Sequence, residues 1–170
     1  NKEINLFKHF LTTNNILNIF EKYDVPYDLG YLSIDVDSTD LWLLDKILTK
    51  YRPSFFSVEF NPNIPIDNAI TLPDDPEKAI WSGKVFGASL KCFDIVSKKY
   101  NYSLVYAGKY SIDKHHDAFF VRNDLINNKE FIPSLYDFKD SSEPIHCVKN
   151  DNKYLLCLDY EYYLKNYDIK

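Results

Sequence analysis

The chain has 170 residues, of which 45% are hydrophobic and 16% aromatic, enough to bury one compact core. A net charge of -5 at pH 7 leaves no basic footprint for a phosphate backbone, so nucleic acid is set aside as a partner. No apolar run approaches the roughly 20 residues of a membrane span, and N-K-E-I-N-L-F-K-H-F lacks the uninterrupted apolar core of a signal peptide. Methionine is absent, so Asn1 reads as the edge of a processed or excised chain rather than a translation start. The three cysteines, Cys92, Cys147 and Cys157, form no C-x-x-C pair and leave one thiol over. That pattern predicts reduced, buried residues and an intracellular compartment.

In chain order, Thr12-Thr13-Asn14 offers cap side chains ahead of Ile16, Leu17, Ile19 and Phe20, whose spacing predicts a helix over 14–23. Pro26 keeps it from continuing. Residues 29–34 form a largely apolar run that reads as a strand buried within a parallel sheet. Ser38, Thr39 and Asp40 are three candidate caps for the next helix, with Leu41, Leu44, Ile47 and Leu48 as its inward stripe and Arg52-Pro53 beyond its end. Residues 54–60 predict a second strand, which Pro62 and Pro65 prevent from extending. The stretch up to Ser82 is the longest predicted loop.

Phe86-Gly87-Ala88-Ser89 leads into a helix carrying Leu90, Phe93, Ile95 and Val96 to Tyr100. Two further strands are predicted over 103–107 and 118–121, joined by a loop short enough for antiparallel neighbours. Residues 145–148 and 154–158 predict a terminal β-hairpin, and the tyrosines of 154–167 would cover the sheet or a subunit surface. The expected division is a sheet-bearing domain over 1–126 and a C-terminal extension over 127–170.

Residues 31–63 hold the chemistry. They read as strand, helix, strand, with Asp35 and Asp37 at the end of the first strand and Glu59 and Asn61 at the end of the second. Ligands of open α/β sheets bind in the crevice beyond such strand ends. Asp35 and Asp37, two apart, point the same way along an extended chain. With Glu59 and Asn61 they make an oxygen set suited to a hard cation such as Mg²⁺. Such an ion could orient and acidify a substrate hydroxyl, or one acid could act as a general base. Asp35 and Asp37 are therefore the candidate catalytic residues, and Glu59, Asn61 and Asn63 the candidate substrate-binding residues. The competing reading is that Asp35 and Asp37 cap the following helix or bond loop amides.

The same residues fit other patterns. D-V-D-S-T fits the D-x-D-x-T signature of haloacid-dehalogenase-type phosphatases, although Asp40 stands where those enzymes carry a hydrophobic residue. D-x-D alone also occurs in Mn²⁺-dependent glycosyltransferases. An EF-hand is excluded, since Lys46 falls at position 12 and no glycine at position 6. His115 and His116, with Asp113 and Asp117 nearby, read as a solvated loop, because adjacent extended residues point apart. The same reasoning separates His146 from Cys147, and Cys92 falls on the inner stripe of its helix, where it reads as core packing.

L-S-I-D-V-D-S-T-D at 32–40, S-V-E-F-N-P-N-I-P at 57–65, F-G-A-S-L at 86–90 and A-F-F-V-R at 118–122 together resemble the C-terminal half of FkbM-like methyltransferases of class I. The resemblance spans about residues 25–125. It implies a Rossmann-like half-sheet in which 31–34 and 54–60 are the fourth and fifth of seven strands and the last two form an antiparallel pair. It also implies S-adenosylmethionine as cofactor and O-methyl transfer to a hydroxyl acceptor. Ser38 stands where the family has glycine, and the glycine-containing loop for the cofactor's methionine portion has no counterpart in the chain. The missing strands would then come from an upstream half of the polypeptide or from another protein covering the open sheet edge. A non-catalytic, methyltransferase-like structural subunit is the alternative.

Overall fold

Residues 6–75, 86–108, 116–138 and 158–167 are described by the computed structural model. Helix α1 (Ile16–Lys22) follows Asn15, whose side chain receives the Thr12 N–H at 2.9 Å and donates to the Phe10 carbonyl. It leads to strand β1 (Tyr31–Ile34), helix α2 (Asp40–Leu48) and strand β2 (Phe55–Glu59). β1 and β2 pair in parallel with Ile34 level with Val58. A two-residue strand β3 (Ile70–Thr71), helix α3 (Leu90–Lys99) and strands β4 (Tyr102–Ala107) and β5 (Asp117–Arg122) follow.

β5 inserts between β2 and β4, antiparallel to both, so the sheet order is β1-β2-β5-β4. The molecule is thus a mixed α/β structure around a small open sheet. The sheet's covered face carries Leu32, Ile34, Phe56, Val58, Ala118, Phe120 and Leu104, all buried. Phe56 and Phe120, cross-strand partners, stack at 4.9 Å. Each such side chain, fully withdrawn from water, contributes about 1.5–3 kcal/mol. α2 and α3 supply the opposing layer, with Leu44, Phe93 and Val96 inaccessible to solvent.

α2 is buried more completely than its predicted stripe. Trp42 and Leu43 join Leu41, Leu44, Ile47 and Leu48 in the core. The extra layer has two parts: α1 packs along α2, and Tyr160 packs edge-on against Trp42 at 5.6 Å. Trp42 Nε1 donates to the Leu72 carbonyl at 2.8 Å, which satisfies its only polar atom.

Two expectations are corrected. The run 29–34 is not a strand buried on both faces: in β1 Leu32 and Ile34 are buried while Tyr31 and Ser33 are exposed, because the helices among the described residues cover one face. The tyrosine-rich tail, expected to cover the sheet or a subunit surface, instead sends one tyrosine into the core. Leu158 and Asp159 form strand β6, paired with β3, and Tyr160–Tyr167 is helix α4 with Tyr160 in the core. The remainder of the predicted hairpin, residues 145–148 and 154–157, lies outside the described residues.

Candidate functional site

The parallel register decides where the acids meet. With Ile34 beside Val58, the next residue of each segment, Asp35 and Glu59, comes level at the C-terminal strand ends. The chain then turns through Asp37, whose φ of 60° lies in the left-handed region that aspartate tolerates better than branched residues. The turn brings Asp37 back over the strand end, and carboxylate oxygens of Asp35, Asp37 and Glu59 lie within 4.8 Å of one another.

Asp40 holds that turn in place. Its carboxylate accepts the N–H groups of Val36 at 2.9 Å and Ser38 at 3.0 Å from a position only 1% exposed. Thr39 is the N-cap of α2 but its side chain makes no cap bond. The amide-binding role offered as the alternative for Asp35 and Asp37 therefore falls to Asp40, and the two remain exposed.

A fourth acid, expected in the solvated loop with His115 and His116, belongs to the sheet instead. Asp117, the first residue of β5, is the cross-strand partner of Glu59. Like charges directly opposite in a sheet repel. The only signal for it was the antiparallel loop reading, which gave no register.

The electrostatics follow. Burial, then Asp35, Asp37, Asp40 and Asp117, push the Glu59 carboxyl up to about 7. Burial raises Asp35, with Asp37 and Asp117 adding to it. Asp40 rises to about 6 because its burial outweighs the amide bonds that favour its charge. Among the described residues no salt bridge reaches Asp35, Asp37, Glu59 or Asp117.

Asn61 leaves the expected oxygen set. Its Nδ2 donates to the Phe86 carbonyl at 2.9 Å, and its Oδ1 accepts both the N–H and the Nδ2 of Asn63 at 2.9 and 3.0 Å. Two bonds fill that oxygen's acceptor capacity, so Asn61 builds the loop after β2 instead of offering a ligand atom. Asn63 is tied into the same loop. The Phe86–Ser89 segment is pinned there as well: the Asn61 N–H bonds to Ala88 and the Ser89 N–H to Ile70. Gly87, at φ 48°, supplies the turn.

His116 faces inward, 6.4 Å from the Phe60 ring and 6.5 Å from Phe86, while its carbonyl accepts the Phe60 N–H at 2.8 Å. Cys92 is fully buried, as its helix position predicts, and its sulfur accepts from Ser89 Oγ. Asp113, His115, His146, Cys147 and Cys157 lie outside the described residues.

Below the acids, the uncovered face of the sheet carries Tyr31, Ser33, Phe55, Phe119, Val121 and Tyr106, with Ser57 buried among them. Tyr31 stacks on Phe55 at 4.7 Å, and Tyr106 leans on Phe119 at 5.9 Å. The hydroxyls of Tyr31, Ser33 and Ser57 form a short chain, 2.5 Å and 3.2 Å. The site is therefore an acidic rim along one end of a broad aromatic surface. No protein-family model, curated protein or solved structure matches the chain.

Proposed function

We propose that the chain is the C-terminal half of a Rossmann-like, S-adenosylmethionine-dependent methyltransferase domain, with Asp35, Asp37 and Glu59 facing the hydroxyl of an acceptor. One observation carries this reading: the β1-α2-β2 unit sets Asp35 and Glu59 side by side at the C-terminal ends of two parallel strands. The antiparallel β4-β5 pair that follows is in keeping with the motif resemblance, which leads one to expect it. A carboxyl lifted to about 7, as in Glu59, can take a proton from an acceptor hydroxyl near neutral pH.

Three carboxylates in mutual reach form a donor set of hard oxygens that fits Mg²⁺. Bound by Asp35, Asp37 and Glu59, such a cation would supply Lewis acidity toward the acceptor hydroxyl. S-adenosylmethionine does not fit the described residues on their own, because they contain no strand-to-helix turn with clustered glycines for its methionine portion. Its binding would fall to an upstream half of the polypeptide or another chain paired with the outer edge of β1. The same observation favours the second reading, a non-catalytic structural subunit. The phosphatase reading is weaker, since among the described residues no cation stands beside the four acids to receive a phosphate.

Calorimetric titration of the complete polypeptide with S-adenosylmethionine, with and without Mg²⁺, decides between them. Heat of binding that grows with Mg²⁺ and is weakened by Asp35→Asn supports the enzyme. No heat retires catalysis and leaves the structural subunit.

A further inference from the structure

We propose that the uncovered face of the sheet is a self-association surface, and that it receives residues 6–10 of a second copy of this chain. Tyr31, Phe55 and Tyr106 are 46%, 42% and 55% exposed on that face, with Phe119 and Val121 half-buried between them. They form one continuous aromatic and aliphatic patch across four strands, a feature that monomeric proteins rarely leave in water without a use. The acidic row of Asp35, Glu59 and Asp117 closes one end of it.

The occupant is chosen on shape and charge. Residues 6–10 run without helix or strand partner, and Phe7 stacks on Tyr23 at 3.8 Å while His9 Nε2 bonds to the Tyr23 hydroxyl at 2.8 Å. Held extended on a partner, the segment would turn Leu6, Lys8 and Phe10 away from that contact. Leu6 is 89% and Phe10 72% exposed, and Lys8 between them is exposed too. This apolar, basic, apolar strip spans roughly 13 Å, the same distance as Tyr31 to Asp35 along β1. Leu6 and Phe10 can lie on the aromatic patch while the flexible Lys8 side chain reaches the acids at its rim.

The strip cannot reach the patch of its own copy. Tyr23 follows α1, α1 packs on α2, and α2 lies on the covered side of the sheet. A second molecule is therefore needed, and two reciprocal contacts close a two-fold dimer. Each contact is small, below the roughly 1,200 Å² of a stable interface, so the dimer forms reversibly with concentration.

Sedimentation velocity of the full chain over a wide concentration range tests this without cofactor or metal, so it stands apart from the methyl-transfer reading. The expected result is a monomer-dimer equilibrium that Phe10→Asp and Tyr106→Asp each weaken at least about tenfold. Lys8→Glu should weaken it most at low salt. Both apolar positions are solvent-facing, so the variants keep the fold, which circular dichroism verifies. Mixing the two variants should recover part of the association, because the intact strip of Tyr106→Asp meets the intact face of Phe10→Asp while the second contact of that pair stays broken. A monomer at every concentration, or a dimer indifferent to both substitutions, overturns the proposal.

Discussion

β5 begins and ends in opposite electrostatic worlds. At its C-terminal end, Arg122 donates through Nη1 to Asp28 at 2.5 Å and to the Arg52 carbonyl at 2.9 Å, and through Nε to Asp124 at 2.7 Å. The guanidinium holds the Asp124 carboxyl below its usual range. At the N-terminal end, Asp117 faces Glu59, with Asp35 behind it. There, carboxyl groups are pushed up by burial and by one another. Both ends collect acids. Among the described residues only one gives them a cation, so one end is built to hold the sheet together and the other retains mutual repulsion.

Breaking the satisfied end should have the largest effect. Arg122→Ala removes three hydrogen bonds from a side chain 10% exposed. The expected loss is about 2 kcal/mol, discounted because Asp28 and Asp124 face solvent. A fall in the urea midpoint without a change in slope measures it. Because Asp124 sits below its usual range, its contribution is present above the unfolded pKa and disappears as pH falls through the folded one. The variant should therefore be less sensitive to acid than the parent.

Next in size is Asp40→Ala, which strips the Val36 and Ser38 N–H groups of their acceptor. About 1–2 kcal/mol is expected from two part-buried amides. The loop carrying Asp35 and Asp37 should loosen with it, visible as faster amide exchange at Val36 and Ser38. Unchanged exchange there would mean that Asp40 does not hold the turn.

The two ends were not equally legible in the sequence. β1, α2 and β2 could be read almost to the residue, because apolar runs bounded by Pro26, Pro53 and Pro62 are local signals. The pairing of Asp35 with Glu59 followed from parallel strands alone. Asp117 did not follow, because its place opposite Glu59 is fixed by the register of strands 58 positions apart. Asp40 stands in the sequence as one of three candidate caps, since Asp at the start of a helix looks the same whether it binds amides ahead of it or behind it. Asn61 looks like a ligand for a similar reason: the Phe86 carbonyl that takes its Nδ2 is distant in sequence. The one-sided cover of β1 is hidden in the sequence, because bulky Leu29 and Tyr31 stand at positions that alternate with the buried Leu32 and Ile34.

The unsatisfied end should respond in the opposite direction. Glu59 ionises near 4.5 when unfolded and at about 7 in the fold. Between those values the folded state keeps a proton that the unfolded chain has lost. Stability from this group is greatest below pH 4.5 and declines as pH rises through 7. Glu59→Gln removes the charge and should stabilise the protein at pH 8 by on the order of 1 kcal/mol, the shift being discounted for the solvent that reaches the group. The variant's melting temperature should change less between pH 5 and 8 than the parent's. A variant less stable at pH 8 would show that Glu59 is held by a favourable contact rather than by repulsion.

Asp37→Asn is the smallest and most selective of these changes. Asparagine tolerates the left-handed φ of 60° as well as aspartate does, so the backbone is left alone. Only the exposed charge goes. A gain of a few tenths of a kcal/mol is expected at neutral pH, with the Glu59 carboxyl moving back toward its ordinary value because one of its repelling neighbours is gone. Carbon-13 titration of the Glu59 side chain reads that movement directly. If Asp37→Asn leaves the Glu59 titration where it was, Asp37 points away from the rim, and the acidic cluster reduces to Asp35, Glu59 and Asp117 across three adjacent strands.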